Sequence, residues 1–590
     1  MTQREAVSRF RSGVSGFTEV SPDVFRHTST AHSYVWRSGH QAVLINVGDG
    51  SLLSELPELG VSEVLAAVLT HAAWDVSGGV GVLAHAGIPV YAPEADAPFL
   101  ADPQVYLNAW AGDNNYDGRP LNLIPHEGVQ PRPLRDYQAL VLGPFTLVAR
   151  PAPGPTLGHT VLLAEANGER LGFTGALLCA PGQVPRLSAT MWKYNGGEGL
   201  AGSILSLLDL YDQQPTRLLG AFGEVLAPDA LKQTAAALGE LLKLRGHNLR
   251  LLELRERPYG ELRPWLLHNR TSEANSYVLL SAQGTALMID FGYDFAFGMP
   301  PGTARDTRRP WLYNLPALQA QFGVSKIDAV IPTHAHDDHV AGIPLLREQL
   351  GTQLWVAEPL ADLLAHPHRH RFPCRWFESI LPDRVLALKT PVVWEEFQIT
   401  PYALPGHARH AVALLVEGYG ERLLFIGDQY AGGDGLGLNY TYQNDFLEGD
   451  YVDSAALISR LRPDVLLSGH WEPVVLDAHW LKAATARGEA LRRTHAQLQP
   501  VASRLLLTVT PAQTVARQFV DLILTNPTDQ TITGYLQAEN WRHTLSVPAC
   551  GEQSVQFIPE GMARRIQIVF TTQPGEPPLI AFLTLTDGQT

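Results

Sequence analysis

Cysteine is almost missing from this chain. Its 590 residues hold three, Cys179, Cys374 and Cys550, far apart in the sequence. That spacing excludes a disulfide framework and a cysteine-based zinc knuckle. Long apolar runs are also missing, so no transmembrane segment is expected. The start, Met1-Thr2-Gln3-Arg4-Glu5, leads into no apolar stretch, which predicts no signal peptide and a cytoplasmic protein. Positive charge is in deficit, with 44 Lys and Arg against 59 Asp and Glu, a net charge of −15. A binder of nucleic-acid phosphates is therefore not expected. No Ser-His-Asp nucleophile motif is visible. Lysine is rare beside Ala, Leu, Arg and Pro, a composition of GC-rich bacteria. What the chain has is length and 45% hydrophobic residues, enough for several cores.

The densest chemistry lies in Thr333-His334-Ala335-His336-Asp337-Asp338-His339. Upstream, Ile327-Asp328-Ala329-Val330-Ile331 reads as a buried strand, and a helix is predicted from Gly342. The cluster therefore belongs on a strand-to-helix loop at a sheet end. Neutral imidazole nitrogen and carboxylate oxygen suit zinc, iron or manganese. The pattern H-x-H-x-D-H resembles the signature of the metallo-β-lactamase-fold hydrolases.

That resemblance implies three further segments in order, and each is present: Pro405-Gly406-His407, Phe425-Ile426-Gly427-Asp428 and Leu467-Ser468-Gly469-His470. Carried over, His334, His336 and His407 would hold one metal, and Asp338, His339 and His470 another, with Asp428 between them. Asp338 would also orient the nucleophile, as the catalytic residue. Asp290, in Asp290-Phe291-Gly292, resembles the family's early Asp that supports the metal loop from behind. His410, three residues beyond His407, resembles a second histidine common in this turn. Tyr440, Tyr442 and Asn444 follow Asp428, where the family usually places substrate contacts. The run His366-Pro367-His368-Arg369-His370-Arg371 reads as a surface loop, with a second metal site the alternative. Arg369, Arg371 or Arg375 there could hold an anionic substrate. Residues 293–311 read as an insertion over the site.

The first half repeats this order with the ligands erased. Thr70-His71-Ala72-Ala73-Trp74-Asp75-Val76 stands in place of 333–339. Pro155, Ala176 and Phe222 stand where His407, Asp428 and His470 stand, and Asn46 where Asp290 stands. One His and one Asp cannot hold a dinuclear site, so the first copy is expected to be a structural pseudo-domain. An amphipathic helix over about 226–246 ends it, at Gly246. Beyond Pro500 only short β-type runs follow, which predicts a β-sandwich.

The expected fold is thus α/β: two tandem αββα sandwiches, residues 1–248 and 249–500, then a small all-β sandwich, 501–590, suited to packing or homodimer formation. The expected function is a hydrolase with two divalent metals, zinc first and iron or manganese as alternatives. It would attack an ester, thioester, lactone, phosphoester or amide of a small molecule, away from membranes. The alternatives are a mononuclear-iron oxygenase, as the sulfur dioxygenases of this fold, and a non-enzymatic binding or scaffold protein.

Overall fold

The computed structural model describes residues 16–104, 129–191, 193–194, 197–294, 309–562, 564–572 and 577–586. The chain divides into two compact units. One comprises Met1–Glu256 with Asp294–Tyr313, and the other Arg257–Tyr293 with Asn314–Thr590. The first unit therefore ends eight residues beyond the expected boundary and takes in part of the 293–311 insertion. Residues 295–308 of that insertion lie outside the described residues.

In the first unit a seven-stranded sheet runs in chain order, from Phe17–Ser21 to Arg132–Leu134. Its first four strands form an antiparallel meander and the rest pair in parallel. A five-stranded sheet faces it, from Arg217–Gly220 at one edge to Ala139–Leu142 at the other. Apolar side chains from both sheets make one core, with Tyr34 edge-on to Phe173 and Trp36 edge-on to Phe145. On the outer face of the first sheet, Val35, Ala42, Leu44 and Ala67 pack with Val80, Leu83 and Leu100 of short helices. The strand Gln41–Ile45 is buried from Ala42 to Ile45 because both of its faces are covered.

The second unit repeats this strand order. Its seven-stranded sheet runs from Tyr259–Arg263 to Arg384–Leu386, with the same switch to parallel pairing at the fourth strand. Its other sheet has six strands, and the parallel neighbour of Glu421–Gly427 is Val465–Ser468. Helices Asp450–Leu461 and Ala478–Leu498 cover that sheet through Tyr451, Ile458, Trp480 and Ala484. Each half is an αββα sandwich.

The β-module belongs to the second unit. A three-stranded and a five-stranded sheet close over a core of Val520, Leu522, Leu536, Ile568 and Leu583. Val520–Asn526 alternates strictly between buried and half-buried, as a strand with one covered face must. Two strands escaped the sequence reading, Gln513–Val515 and Trp541–Val547. The second is an edge strand whose side chains are mostly exposed, so its hydrophobic signal is weak. The module is anchored to the sandwich. Arg504 pairs with the buried Glu448, and the Ala512 amide donates to the Arg369 carbonyl at 2.7 Å. Among the described residues no helix is long and apolar enough to cross a membrane.

Candidate metal centre

The strand Lys326–Ile331 delivers the motif. It ends in Pro332-Thr333, and the helix Asp337–Val340 starts at once, with His336 as its extended N-cap. Asp290 clamps this loop from behind. Its carboxylate accepts the Thr333 amide at 2.7 Å and the Thr333 hydroxyl at 2.8 Å. It also accepts from His339 Nδ1 at 2.9 Å, which leaves His339 Nε2 free to ligate. Asp290 itself sits at φ 59°, the left-handed region.

Two groups of donor atoms result, and they share Asp428. His334, His336, His407 and Asp428 form one; Asp338, His339, Asp428 and His470 form the other. In the first, His336 Nδ1 lies 3.0 Å from His334 Nε2 and 3.2 Å from His407 Nε2. Asp428 Oδ2 is 3.5 Å from His407 Nε2 and 3.9 Å from His334 Nε2. In the second, His470 Nε2 is 3.1 Å from Asp428 and 3.2 Å from Asp338, and His339 Nε2 is 3.2 Å from Asp428 Oδ1. Ligands about 2.0–2.1 Å from a tetrahedral zinc stand about 3.3 Å apart. The spacing fits.

The rest of the geometry agrees. His339 Nε2 and Asp428 Oδ1 are buried with no hydrogen-bond partner, a costly state unless a cation binds them. The non-ligating nitrogens are held. His407 Nδ1 donates to the Asn439 carbonyl at 2.7 Å, and His470 Nδ1 to the Glu273 carbonyl at 3.2 Å. His336 Nε2 faces Asn444. Electrostatics point the same way. Burial opposes a charge on His339 and His470. The carboxylates of Asp428, Asp290 and Asp338 outweigh it at His339, and hydrogen bonds to Asp338 and Asp428 do so at His470, raising both above the ordinary histidine value. Burial instead pushes His334 well below that value and His336 to about 4. The carboxylate side thus attracts positive charge while the imidazole side stays neutral, the form in which histidine ligates. The set suits divalent metal.

The ligand segments depend on glycine. Gly406, at φ 148°, lets His407 turn in, and a Cβ there would meet Gln429 at 2.4 Å. Gln429 accepts the His407 amide and donates to the Pro405 carbonyl, which fixes the turn. Asn275 fixes the last one by donating to the carbonyls of Ser468 and Trp471. Sequence reading missed Gln429 and Asn275, and expected Asn444 only among the substrate contacts. Lone amides carry no pattern. Asp290→Asn is expected to weaken metal affinity roughly 10–100-fold with the fold intact. An amide oxygen can still hold Thr333 but its NH2 would confront His339 Nδ1. Competition against a chelator measures it.

A cleft of about 680 Å³ opens at His334 and His336. His410 and Asn444 line it, as does Arg371 of the loop after the helix Glu358–Ala365. The β-module supplies a wall through Thr508, Val509, Arg565 and Phe582. The other expected substrate contacts lie elsewhere. Tyr440 stacks on Phe446 in an aromatic cluster, and Tyr442 donates its hydroxyl to His495 at 2.8 Å. Arg369 faces Asp362 at 3.7 Å. Arg375 is spent on the carbonyls of Pro367 and His370. Among the described residues no metal-type donor group forms in the 366–371 run, where His370 pairs with Asp362 at 2.7 Å.

At the equivalent loops of the first unit the arrangement is filled. His71, Ala73, Asp75, Pro155, Ala176 and Phe222 line a void of only about 20 Å³. The Arg186 guanidinium takes the place of a cation, 2.7 Å from Asp75 and 5.9 Å from the centre of the Phe222 ring. The Thr70 amide and hydroxyl donate to Asn46 as those of Thr333 do to Asp290. His71 is fully buried, and burial lowers its pKa to about 4. An unfolded histidine takes up its proton near pH 6.5, the folded one only near 4. Stability present above 6.5 is therefore lost as pH falls, on the order of 3 kcal/mol by pH 4. The slope of Tm between pH 7 and 4.5 should flatten in His71→Leu, whatever the absolute Tm.

Residues 270–470 match the family model of the Metallo-beta-lactamase superfamily. Coenzyme PQQ synthesis protein B of Xanthomonas campestris is 34% identical over 97 residues, 15% of this chain and 30% of that protein. The same-named protein of Xanthomonas euvesicatoria is 35% identical over 97 residues, with the same coverage. The chain thus spans under a third of the length of these relatives. Among solved structures, a metallo-beta-lactamase from Cronobacter sakazakii is similar at 18% identity, covering 41% of this chain and 100% of that one, with a TM-score of 0.31. FEZ-1 from Legionella gormanii gives 18%, 41%, 96% and 0.31 for the same quantities. With its motif, strand order and family match together, the segment 270–470 of this chain belongs to the metallo-beta-lactamase superfamily.

Proposed function

We propose that this chain is a metal-dependent hydrolase of a small-molecule substrate, working at a dinuclear centre on His334, His336, Asp338, His339, His407, Asp428 and His470. The observation that carries the reading is the pair of four-atom donor groups with Asp428 in both. Two divalent cations, zinc first, would lower the pKa of a shared water toward neutrality and polarise an acyl or phosphoryl oxygen. Asp338 is the more exposed of the two ligand carboxylates, its side chain 16% accessible against 6% for Asp428. It is therefore the one placed to orient a nucleophile and carry its proton. Leu360, Leu363 and Val509 give the cleft part of its apolar lining.

The chain also reads as a duplication whose first copy gave up metal. The shared strand order supports this, as do the Tyr34 and Tyr277 hydroxyls, each donating at 2.7 Å to the carbonyl two residues before the last ligand position, Gly220 and Ser468. The test is elemental analysis with turnover. Two metals per chain, and chelator-sensitive hydrolysis of ester, thioester, lactone, phosphodiester or β-lactam substrates, is the expected result. One iron per chain with oxygen uptake would replace it by the oxygenase reading.

A further inference from the structure

The cleft carries a feature that the metal centre does not use. Arg371 and Arg565 approach the same aromatic ring from different parts of the second unit. Their guanidinium carbons lie 5.7 and 3.8 Å from the centre of the Phe582 ring. Arg565 stands on the strand Arg564–Thr571 opposite Thr584, so Phe582 is its diagonal neighbour on the same sheet face. Arg371 is brought there by its loop. The Asp337 amide donates to the Cys374 carbonyl at one end of that loop, and the Ala512 amide to the Arg369 carbonyl at the other. One segment therefore ties the metal motif to the β-module and carries Arg371 between them.

Among the described residues neither arginine meets a carboxylate, whereas Arg409 and His370, which also line the cleft, each do. Arg409 pairs with Asp450 at 2.6 Å and His370 with Asp362. Among the described residues Asp445 is the one acidic residue lining the cleft, and burial raises its carboxyl to about 6. Two like charges gathered on one ring, in a chain of net charge −15, are a favourable site for an anion. Guanidinium forks match carboxylate and phosphate oxygens alike, and the ring beneath holds their planes in place. Phe372, its ring centre 6.4 Å from that of His336, lines the cleft together with Ile580 and Val509, the apolar part of its wall.

We propose that Arg371 and Arg565 clamp an anionic head group on Phe582, and that the substrate is an amphipathic anion with its scissile bond at the metal end and an apolar body between. This substrate class rests on the hydrolase reading, but the clamp can be tested apart from turnover.

The probe is 8-anilinonaphthalene-1-sulfonate, an apolar aromatic anion, beside N-phenyl-1-naphthylamine, which lacks the sulfonate. In the full-length chain, Arg371→Gln and Arg565→Gln should each weaken the anion about tenfold and the double variant more, with the neutral probe unchanged. Lysine at either place should restore part of the loss, keeping charge without the fork. Both positions are exposed, so the variants should fold. Displacement of the anion by 4-phenylbutyrate or by phenyl phosphate supports the clamp and identifies the head group; displacement by neither overturns it. An unchanged anion affinity in the double variant overturns the clamp whatever the chain does to esters. If the clamp behaves as expected and the metal-loaded chain turns over no ester, thioester, lactone, phosphodiester or β-lactam, charged or neutral, the hydrolase reading falls instead.

Discussion

Asp428→Asn is expected to leave a folded chain with almost no turnover. Asp428 is the carboxylate common to both donor groups. Oδ1 faces His339, and Oδ2 faces His334, His407 and His470, all within 3.9 Å. Burial opposes its ionisation, yet His339 above all holds its pKa well below the usual carboxylate range. The ionised form is therefore the one the site is built around. Asparagine keeps the shape and removes the charge, and turns an NH2 toward imidazole nitrogens. Removing an outer partner of a metal typically costs roughly 10–100-fold in affinity or activity. Loss of a ligand shared by two groups should exceed that, and metal per chain should fall with it. The matched control is Asp75→Asn, which breaks an ion pair with the half-exposed Arg186 in the first unit. It should leave metal content and turnover nearly unchanged. Equal losses in the two variants would sink the reading of the first unit as metal-free.

Much of the site was legible because its residues are rare and ordered. Four imidazole- or carboxylate-bearing segments, each after an apolar run, announce strand ends that converge. The structure brings all seven positions together. The residues at the corresponding loops of the first unit were legible for the same reason, and His71, Ala73, Asp75, Pro155, Ala176 and Phe222 do line one void. Arg186 was not. It comes from a loop with no ligand counterpart, and nothing in its neighbourhood distinguishes it from any surface arginine. The cleft was read least well. Tyr440 and Tyr442 were expected to meet substrate because the loop after Asp428 is where the resembled family usually places such contacts. They instead make ring contacts with Phe446, Tyr451 and His495, outside the residues that line the cleft. Arg565 and Phe582 lie more than 200 residues from the motif, and only tertiary packing brings such positions together. Periodicity reports which face of a strand is covered and is silent on what covers it.

Gly469→Ala should disable the centre without touching a ligand. A Cβ built there would stand 2.0 Å from Asp428 Oδ1 and 2.8 Å from His339 Cε1. The backbone cannot give way. The Gly469 amide donates to the Gly427 carbonyl at 2.7 Å, and its carbonyl accepts the Asn275 amide at 2.5 Å. The methyl must therefore displace the Asp428 carboxylate, and metal should be lost nearly as in Asp428→Asn. Gly433→Ala, whose Cβ meets nothing within 4 Å, is the silent control. The first unit shows what makes a side chain tolerable here. Ala221 occupies the equivalent place, its carbonyl accepting the His32 amide at 2.8 Å as that of Gly469 accepts Asn275. It packs, 1% exposed, with Ala31 and Val76. It fits because the residue in place of Asp428 is Ala176. The two positions are thus coupled, and a double-mutant cycle exposes the coupling. In wild type, Gly469→Ala should lower both metal content and Tm of the metal-loaded protein. In an Asp428→Ala background, where the room is already made, the same substitution should cost little or even stabilise the fold. Additive losses in Tm across that cycle would mean that the methyl clashes with something other than the carboxylate, and the account of why glycine stands at 469 would fail.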